Sequence, residues 1–247
     1  NIVAYWPCDE GSGEKVLSAI GNYNGILMVG PGWKGDPHQE GWGEGKFGKG
    51  LAFNATKEWF VLIKTDDNLD KLGKPNSAFS VAYWIKSTKT SGKGRTVDKG
   101  SSGWTQGWHC ALVNGKPFSE ACDNIAPGWQ LSASKTVADN QWHHIVHIFE
   151  VGKNASIYVD GELDGQVDIS KDPDIAGVGW DLVFGTVGVI ENPWHEFLDG
   201  FMDDIAIFDK ALSDSEIKEL TAGPIMLQPS AVKTTGKIAT KWAEIKQ

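Results

Sequence analysis

Hydrophobic and polar residues alternate along many short segments of this chain. In residues 79–86, FSVAYWIK, every second side chain is a large apolar one, and residues 1–9 and 201–208 alternate in the same way. A period of two is that of a β-strand, whose successive side chains point to opposite faces. Turn residues separate these runs about every ten residues. The pattern therefore predicts an all-β protein built as a two-sheet antiparallel sandwich.

The segment from Gly200 to Leu220 combines a strand with a helix. Residues 201–208 are apolar on both faces, which predicts a strand inside the protein, yet Asp203 and Asp204 stand at its start. Burying a carboxylate costs several kcal/mol unless it is paired, hydrogen-bonded or bound to a metal. Two interpretations stay open: both acids remain in water where the strand enters the core, or both are buried with partners.

One short helix is predicted directly after this strand. Ser213 and Glu216 form the S-x-x-E capping box, and Leu212 and Ile217 flank it as a hydrophobic staple. The Gly-Pro pair at residues 223–224 provides the stop signal.

Composition narrows the partners that such a protein can have. The chain of 247 residues carries 12 tryptophans and 30 glycines, and its formal net charge is −9. Nucleic acids and anionic membranes attract basic surfaces, so neither is expected as a partner. No apolar run is long enough to insert across a membrane. The length suits one sandwich domain, assigned to residues 1–222, followed by a C-terminal tail or linker at residues 223–247.

The three cysteines have different expected roles. Cys8 lies in the first predicted strand, where we expect a buried free thiol. Cys110 and Cys122 flank a turn-rich stretch, NGKPFSEA. A disulfide between them would add roughly 3 kcal/mol of stability in the chain-entropy model. We include this bond among the expectations, although spacing alone does not decide whether it forms.

Seven segments resemble, in order, the laminin-G-like jelly rolls of the concanavalin A-like lectin/glucanase superfamily. VAYWPCDEGSG at residues 3–13 is similar to the family's first strand, and GFMDDIAIFDKALSDSEI at residues 200–217 is similar to its closing strand and helix. The other five are NYNGIL (22–27), GKFGKGLAFN (45–54), FSVAYWIKST (79–88), QWHHIVHIF (141–149) and SIYVDGEL (156–163). The resemblance implies a concanavalin A-like jelly roll with one short helix near the C-terminus, in a protein that is secreted or exposed at the cell surface.

The same resemblance implies a structural calcium ion between the first and the last strand. The matching ligand positions are Asp9, Asn24, Gly25 and Asp203, with Asp204 and Glu10 as alternatives. Calcium takes six to eight oxygen ligands. Acids from opposite ends of the chain could share one ion only in a fold whose first and last strands pair. Asn24 stands where the family often has aspartate, which removes one charge from the implied site.

Tryptophans in predicted loops are the candidate ligand-binding residues. Sugars stack their apolar faces on aromatic rings, and surrounding polar groups orient them. The loop tryptophans are Trp33, Trp42, Trp104, Trp108, Trp129 and Trp194. We favour Trp104, Trp108 and Trp129, which bracket the stretch between the two later cysteines. The alternative for each of them is a structural role at the edge of the core.

No motif predicts catalysis. Glycoside hydrolases of this superfamily carry acids spaced as E-x-D-x-x-E on one strand, and the nearest stretch, Glu162–Asp164, lacks the third acid because position 167 is a valine. We therefore expect a secreted or cell-surface, lectin-like domain of a larger multidomain protein, which binds a glycan, glycoprotein or polysaccharide around a structural calcium. The alternative is a structural or adhesive module that contacts protein and has no sugar site. A polysaccharide-degrading enzyme is the least favoured of the three.

Overall fold

The structure is a computed structural model, and it describes residues 1–30, 35–100, 107–122, 128–171, 174–187 and 196–225. This part of the chain forms seventeen β-strands and one α-helix. The elements are β1 (Ile2–Trp6), β2 (Lys15–Val16), β3 (Gly25–Val29), β4 (Asp36–Pro37), β5 (Trp42–Glu44), β6 (Lys49–Phe53), β7 (Trp59–Ile63), β8 (Ala78–Ser87), β9 (Lys93–Gly100), β10 (Gly107–Val113), β11 (Lys116–Cys122), β12 (Trp129–Ser132), β13 (His143–Glu150), β14 (Asn154–Val159), β15 (Glu162–Asp168), β16 (Leu182–Phe184), β17 (Gly200–Phe208) and α1 (Asp214–Ala222). None of the described residues belongs to a helix that is long and apolar enough to cross a membrane.

The strands form two antiparallel sheets. Sheet A runs in the order β15-β14-β13-β8-β17-β6-β5, with β1 also paired to β17. Sheet B runs in the order β12-β11-β10-β9-β16-β7-β3-β2, with β4 also paired to β3. The predicted all-β, two-sheet jelly roll with one short helix near the C-terminus is confirmed.

An apolar core fills the space between the two sheets. Aromatic rings dominate its centre: Phe79 and Phe149 of sheet A stack with their centroids 4.5 Å apart, and Trp108 of sheet B lies 5.0 Å from Phe79. Fully burying one such side chain stabilises the fold by about 1.5–3 kcal/mol. The inward positions of the alternating segments therefore supply the energy that holds the sheets together.

Strand β17 lies in the middle of sheet A. Its first residues pair with β6 and its last residues pair with β1, while β8 lies along its other edge. The register shifts between Asp203 and Ala206, where Asp204 has a φ of +47°. Both acids are buried. Of the two interpretations that the sequence left open, burial with partners is the correct one.

The helix α1 covers the outer face of sheet A. Its capping box forms as predicted, since the hydroxyl of Ser213 accepts the N–H of Glu216 and the carboxylate of Glu216 accepts the N–H of Ser213. Ile217 is fully buried in a second apolar cluster that also contains Tyr5 and Phe208. The helix is thus held by its amphipathic face rather than by its length.

One row of side chains crosses the outer face of sheet B. Strand register aligns one residue from each of eight strands, namely Lys15, Ile26, Leu62, Val183, Asp98, His109, Glu120 and Gln130. Neighbouring strands lie about 4.8 Å apart, so adjacent members of this sheet B row are in reach of one another. One half of the row is mainly apolar and the other half is polar.

Candidate functional site

The polar half of the sheet B row surrounds Arg95, the only arginine in the sequence. The Nε of Arg95 lies 2.5 Å from Oε2 of Glu196, and its Nη2 lies 2.7 Å from Oε1 of Glu120. Its Nη1 lies 3.4 Å from Oδ2 of Asp98. Three carboxylates therefore share one guanidinium.

Two further basic side chains and one amide complete this group. Nδ1 of His109 lies 2.8 Å from Oδ2 of Asp98, and Nζ of Lys93 lies 2.5 Å from Oε1 of Glu120. Gln130 donates from Nε2 to Oε2 of Glu120 at 3.1 Å. We call these residues the Arg95 cluster: Lys93, Arg95, Asp98, His109, Glu120, Gln130 and Glu196.

Local backbone geometry brings the cluster to one face. Strands β9 to β12 are consecutive antiparallel neighbours, so their outward positions repeat every second residue. A register shift between Cys110 and Ala111 lets both Arg95 and Asp98 face outward, although they are three positions apart. Glu196 belongs to the segment just before β17. Its backbone carbonyl accepts the N–H of Arg95 at 2.9 Å, which holds this segment beside β9.

Charge pairing determines the protonation of the cluster. Burial opposes ionisation of Glu120, but nearby positive charges outweigh burial and lower its pKa to about 2. These charges belong to Arg95, His109 and Lys93. Burial also works against the charge of Arg95, yet its three acidic partners raise the pKa of the guanidinium. Glu120 is therefore a carboxylate, and Arg95 a cation, at neutral pH.

The Arg95 cluster has a buried centre and a reachable rim. The centre consists of Asp98, Arg95 and His109, whose side chains are at most 6% exposed. At the rim, the side chains of Lys93 and Glu196 keep 20% and 23% of their surface exposed. The buried ion pairs thus hold the partly exposed side chains of Lys93 and Glu196 in fixed orientations.

A buried apolar patch adjoins the cluster on the same face, and its side chains are at most 9% exposed. Leu62 and Val183 of the sheet B row pack with Met28, Phe60 and Phe197 in a small cluster outside the main core. Val183 lies directly opposite Asp98 in the strand register, so the apolar patch and the Arg95 cluster are contiguous.

A second acidic site lies where the first and last strands meet. Asp203 is fully buried, and its Oδ2 accepts the N–H of Phe47 at 2.9 Å. Oδ1 of Asp9 accepts the N–H of Lys49 at 3.2 Å. One hairpin, residues 45–49, therefore contacts carboxylates from both ends of the domain.

Glycines allow this close approach. A Cβ atom at Gly45 would lie 2.7 Å from Oδ2 of Asp203, and one at Gly48 would lie 2.5 Å from Oδ1 of Asp9. Gly48 also has a φ of +78°, a conformation that L-residues with a side chain rarely adopt. The glycines of the motif GKFGKG thus let backbone N–H groups reach the carboxylates of Asp203 and Asp9.

The electrostatics of this site favour a cation. Burial raises the pKa of Asp203 to about 7; the N–H of Phe47 opposes the rise, while the charges of Asp204 and Asp9 add to it. In the described part of the chain, no group of three or more His, Cys, Asp or Glu side chains is placed to hold a metal. The calcium ion that the sequence resemblance implies at Asp9 and Asp203 therefore stays a prediction.

The other residues of the implied calcium set make different contacts. Oδ1 of Asn24 accepts the N–H of Ser18 at 2.9 Å, and Gly25 lies in β3 of sheet B. Asp204 accepts a short hydrogen bond from the hydroxyl of Tyr5. The amide of Asn24 is thus bonded to Ser18, whereas Asp9 and Asp203 are bonded to the hairpin of residues 45–49.

The laminin-G-like family model, described as the concanavalin A-like lectin/glucanases superfamily, matches residues 62–218. The chain belongs to this superfamily. The match confirms the resemblance of the sequence motifs to laminin-G-like jelly rolls. No curated protein sequence matches the chain significantly.

Solved structures with the same fold include two toxin domains and one domain of an arabinanase. Domain 4 of AbnA, an extracellular arabinanase from Geobacillus stearothermophilus, in complex with arabinotriose, has a TM-score of 0.67 at 17% identity, over 90% of this chain and 98% of that one. The binding domain of Paraclostridial Mosquitocidal Protein 1 has a TM-score of 0.66 at 17% identity, over 90% and 52% of the two chains. The ligand binding domain of botulinum neurotoxin serotype D, in complex with N-acetylneuraminic acid, has a TM-score of 0.62 at 17% identity, over 90% and 50%. The chain spans about half the length of these toxin domains, and such identities establish a shared fold only.

The structure corrects the assignment of two tryptophans of this laminin-G-like domain. Trp108 and Trp129 were expected as surface platforms, but both are buried in the core between the sheets. The reason is strand parity, because both occupy inward positions of β10 and β12. Trp42 is half-buried and donates from Nε1 to the carbonyl of Gly13 at 2.8 Å. Three further candidates, Trp33, Trp104 and Trp194, lie outside the described residues.

The expected disulfide is also corrected. Cys110 is a free, buried thiol, and the strand register places it opposite Ser119. Cys122 lies opposite Gly107, three positions further along the same pair of strands. The Cys110–Cys122 bond is therefore absent from this structure, since a hairpin register separates the two residues. Cys8 is a buried free thiol, as expected.

Sequence reasoning missed two features of the site. The Arg95 cluster is spread over residues 93–130 and residue 196, and no spacing rule links those positions. A sequence signal for this cluster was that three successive strands, β9, β10 and β11, each carry an ionisable residue at an outward position, namely Asp98, His109 and Glu120. Trp180 was also missed: it was assigned to a strand, but it lies just before β16 and is exposed.

Proposed function

We propose that this laminin-G-like domain is an extracellular carbohydrate-binding module, and that its ligand lies on the outer face of sheet B. The observation that carries this proposal is the Arg95 cluster, a fixed array of charged and amide groups whose rim solvent can reach. Such groups bind the hydroxyl groups at the rim of a pyranose or furanose ring.

Preorganisation is the physical advantage of this arrangement. Arg95 holds Glu120 and Glu196 in place, so these carboxylates accept hydrogen bonds from a ligand without first losing conformational freedom. Lys93 and the exposed amide of Gln130 supply donors at the rim. Hydrogen bonds of this kind contribute about 1 kcal/mol each at a rim that solvent can reach.

Binding without catalysis is the second part of the proposal. A glycosidase needs a carboxyl group that keeps its proton near neutral pH. Glu120 has a pKa of about 2 because its positive neighbours outweigh its burial, so it does not serve as a general acid. Two fold relatives support this, since one is the binding domain of a toxin and the other is a domain of an arabinanase in complex with arabinotriose.

The domain is further proposed to be one module of a larger extracellular protein. Supporting this, the chain matches 98% of a single numbered domain of an extracellular enzyme. The net charge of −9 favours a neutral carbohydrate over an acidic one. A structural calcium ion at Asp9 and Asp203 belongs to the same proposal, with the ion joining the ends of the domain rather than contacting the sugar.

A binding experiment with rim variants tests the proposed site. We expect the purified domain to bind at least one polysaccharide on a broad glycan array, and Lys93→Met and Gln130→Ala to weaken that binding by roughly five- to tenfold. Each removes about one hydrogen bond, worth about 1 kcal/mol. Isothermal titration with the best array ligand measures the change, and Gln141→Ala, an exposed glutamine in a turn before β13, is the matched control.

Two outcomes would contradict this proposal. Unchanged affinity in both rim variants would show that the ligand does not bind at the Arg95 cluster. A blank array would favour the alternative of a structural or adhesive module that contacts protein.

A further inference from the structure

The turn between Ala176 and Leu182 exposes two large apolar side chains. Val178 is 46% exposed and Trp180 is 38% exposed. Among the described residues, Trp180 is the only aromatic one in the set of exposed large hydrophobic side chains. An exposed indole offers a flat apolar face on which a ligand can stack.

A buried lysine holds this turn from the inside. Lys99, the residue after Asp98 on β9, is fully buried. Its Nζ donates to the carbonyls of Gly177 at 3.0 Å and Trp180 at 2.8 Å. The same Nζ also donates to Thr65 and Asp70, at 2.7 Å each. Burying an ammonium group costs several kcal/mol, which here is offset by bonds to the turn that presents Trp180.

The backbone of the turn is fixed at other points as well. The N–H of Gly179 donates to Oδ2 of Asp70 at 2.8 Å, and the N–H of Trp180 donates to the carbonyl of Gly177 at 3.3 Å. Gly177 packs directly on β9, since a Cβ atom there would lie 2.2 Å from the carbonyl oxygen of Lys99. The indole therefore stands on a rigid base, and a ligand that stacks on it loses little conformational entropy.

Polar side chains lie in the same turn as Trp180 and on the strand end that it adjoins. Asp181 follows Trp180 directly, and its Oδ2 accepts a 2.6 Å hydrogen bond from Nζ of the well-exposed Lys64. Two more acids, Asp66 and Asp67, are exposed on the adjoining segment. Acids outnumber bases here, so acidic sugars and anionic membranes are repelled. An aromatic face next to a carboxylate and an ammonium group is the chemistry that recognises an uncharged sugar ring.

We propose that the turn of residues 177–181, with Lys64, is a second carbohydrate-binding site, which stacks a neutral sugar on Trp180 and binds its hydroxyl groups through Asp181 and Lys64. This site is separate from the Arg95 cluster, and only its ligand class rests on the proposed function. Lys99 is its positioning residue, because it holds the turn without touching the ligand. Both sites share strand β9, which contributes Asp98 to one and Lys99 to the other.

Titration of neutral oligosaccharides against matched variants tests this site. The probes are hexasaccharides of xylan, mannan, cellulose and arabinan, with a polygalacturonate hexasaccharide as the acidic counterpart. We expect Trp180→Ala to weaken binding of the preferred neutral probe about tenfold, and Trp180→Phe to recover most of the loss. Leu163→Ala, which truncates an exposed apolar residue of β15, is the surface control and should leave affinity unchanged. Thermal melting verifies that each variant is folded.

A second readout separates this site from the Arg95 cluster. In ¹⁵N NMR spectra, the indole N–H signal that Trp180→Phe removes should shift on addition of the neutral hexasaccharide, in the wild type and in Gln130→Ala alike. Loss of affinity in Trp180→Ala with none in Gln130→Ala would support this site and contradict the proposed location on sheet B.

Three results would overturn the second site. These are equal affinity of wild type and Trp180→Ala, no shift of the Trp180 indole signal with any neutral probe, and a preference for the acidic probe. Co-sedimentation with vesicles of phosphatidylcholine and phosphatidylserine that depends on Trp180 would assign the turn to membranes instead.

Discussion

At the scale of single residues, buried polar side chains of this domain are bonded across the gap between its sheets. His147 of sheet A is fully buried, and its Nε2 lies 2.8 Å from the hydroxyl of Tyr83. Its Nδ1 lies 2.7 Å from the hydroxyl of Ser119 in sheet B, and Tyr83 in turn contacts Thr96 of sheet B at 2.8 Å. A neutral imidazole can fill both roles, donating through one nitrogen and accepting through the other.

This chain of hydrogen bonds predicts acid sensitivity. Burial lowers the pKa of His147 from 6.5 to about 3, so the unfolded chain binds a proton between these values that the folded chain excludes. Stability is therefore fully present above pH 6.5 and falls as the pH drops towards 3. Between pH 6.5 and pH 5 the loss from this residue is about 2 kcal/mol.

Urea unfolding of wild type and His147→Gln at several pH values measures this effect. The variant should be less stable than wild type at pH 7, and its free energy of unfolding should fall less steeply with acid. Other titrating groups are common to both proteins, so the difference in slope reports His147 alone. Parallel curves for the two proteins would refute the assignment.

At the scale of elements, α1 illustrates how a short helix is stabilised. Nine residues are too few for a stable isolated helix in water. The capping box satisfies backbone groups at its start, and Ile217 inserts into an apolar surface formed by strands β1, β8, β13 and β17 of sheet A. The helix therefore depends on one buried contact more than on its intrinsic propensity.

Truncation of that contact should destabilise the whole domain. We expect Ile217→Ala to lower the free energy of unfolding by roughly 2–4 kcal/mol, since it leaves a cavity between α1 and sheet A. Lys218→Ala, the next and exposed helix position, should change stability by less than about 0.5 kcal/mol. Denaturant unfolding of both variants makes the comparison, and a similar loss in the two would show that propensity, not packing, holds α1.

At the scale of the whole molecule, the two ends of the domain are joined side by side. Strand β1 pairs with β17 from Ile2–Phe208 to Trp6–Ile205, and the hairpin of residues 45–49 contacts acids that follow β1 and lie within β17. An ion bound there would link three segments that are distant in sequence. Its effect on stability would then extend to the entire sandwich.

Calcium should raise the melting temperature of the wild-type domain relative to chelator. An ion at a hundred times its dissociation constant adds about 2.7 kcal/mol. Asp203 has a pKa of about 7, so protons compete with the ion, and the stabilisation should shrink as the pH falls from 7.5 to 5. Without the ion, the contribution of Asp203 to stability should decline over the same range as the pH rises, because ionised Asp203 is buried, and this opposes the gain from His147.

Melting curves in calcium and in EDTA, at pH 7.5 and at pH 5, provide the measurement. Asp203→Asn should abolish the calcium effect, whereas Asp67→Asn, a change at an exposed acid, should retain it. Identical melting temperatures of the wild type in both solutions would exclude a structural calcium.

The sequence alone determined the elements of this protein. Period-two alternation identifies strands, and the S-x-x-E box at Ser213 identifies the start of α1, because both depend on residues close in the chain. Ordered motifs also identified the superfamily, and the resemblance predicted a calcium site with Asp9, Asn24, Gly25 and Asp203 as its ligands. What alternation cannot supply is which of the two strand faces turns inward. Nor does it fix where strands begin: Trp108 and Trp129 were assigned to loops, whereas β10 and β12 include them at inward positions.

Only the tertiary structure decided the neighbours of each strand and their register. Asp98, His109 and Glu120 form one row because β9, β10 and β11 pair in a particular register, and Glu196 joins them from a segment about 100 positions away from Arg95. Trp180 is exposed because Lys99, on a strand that precedes it by 81 residues, holds its turn. Such contacts depend on distances between remote segments, which local propensity does not encode and which the packing of the two sheets alone determines.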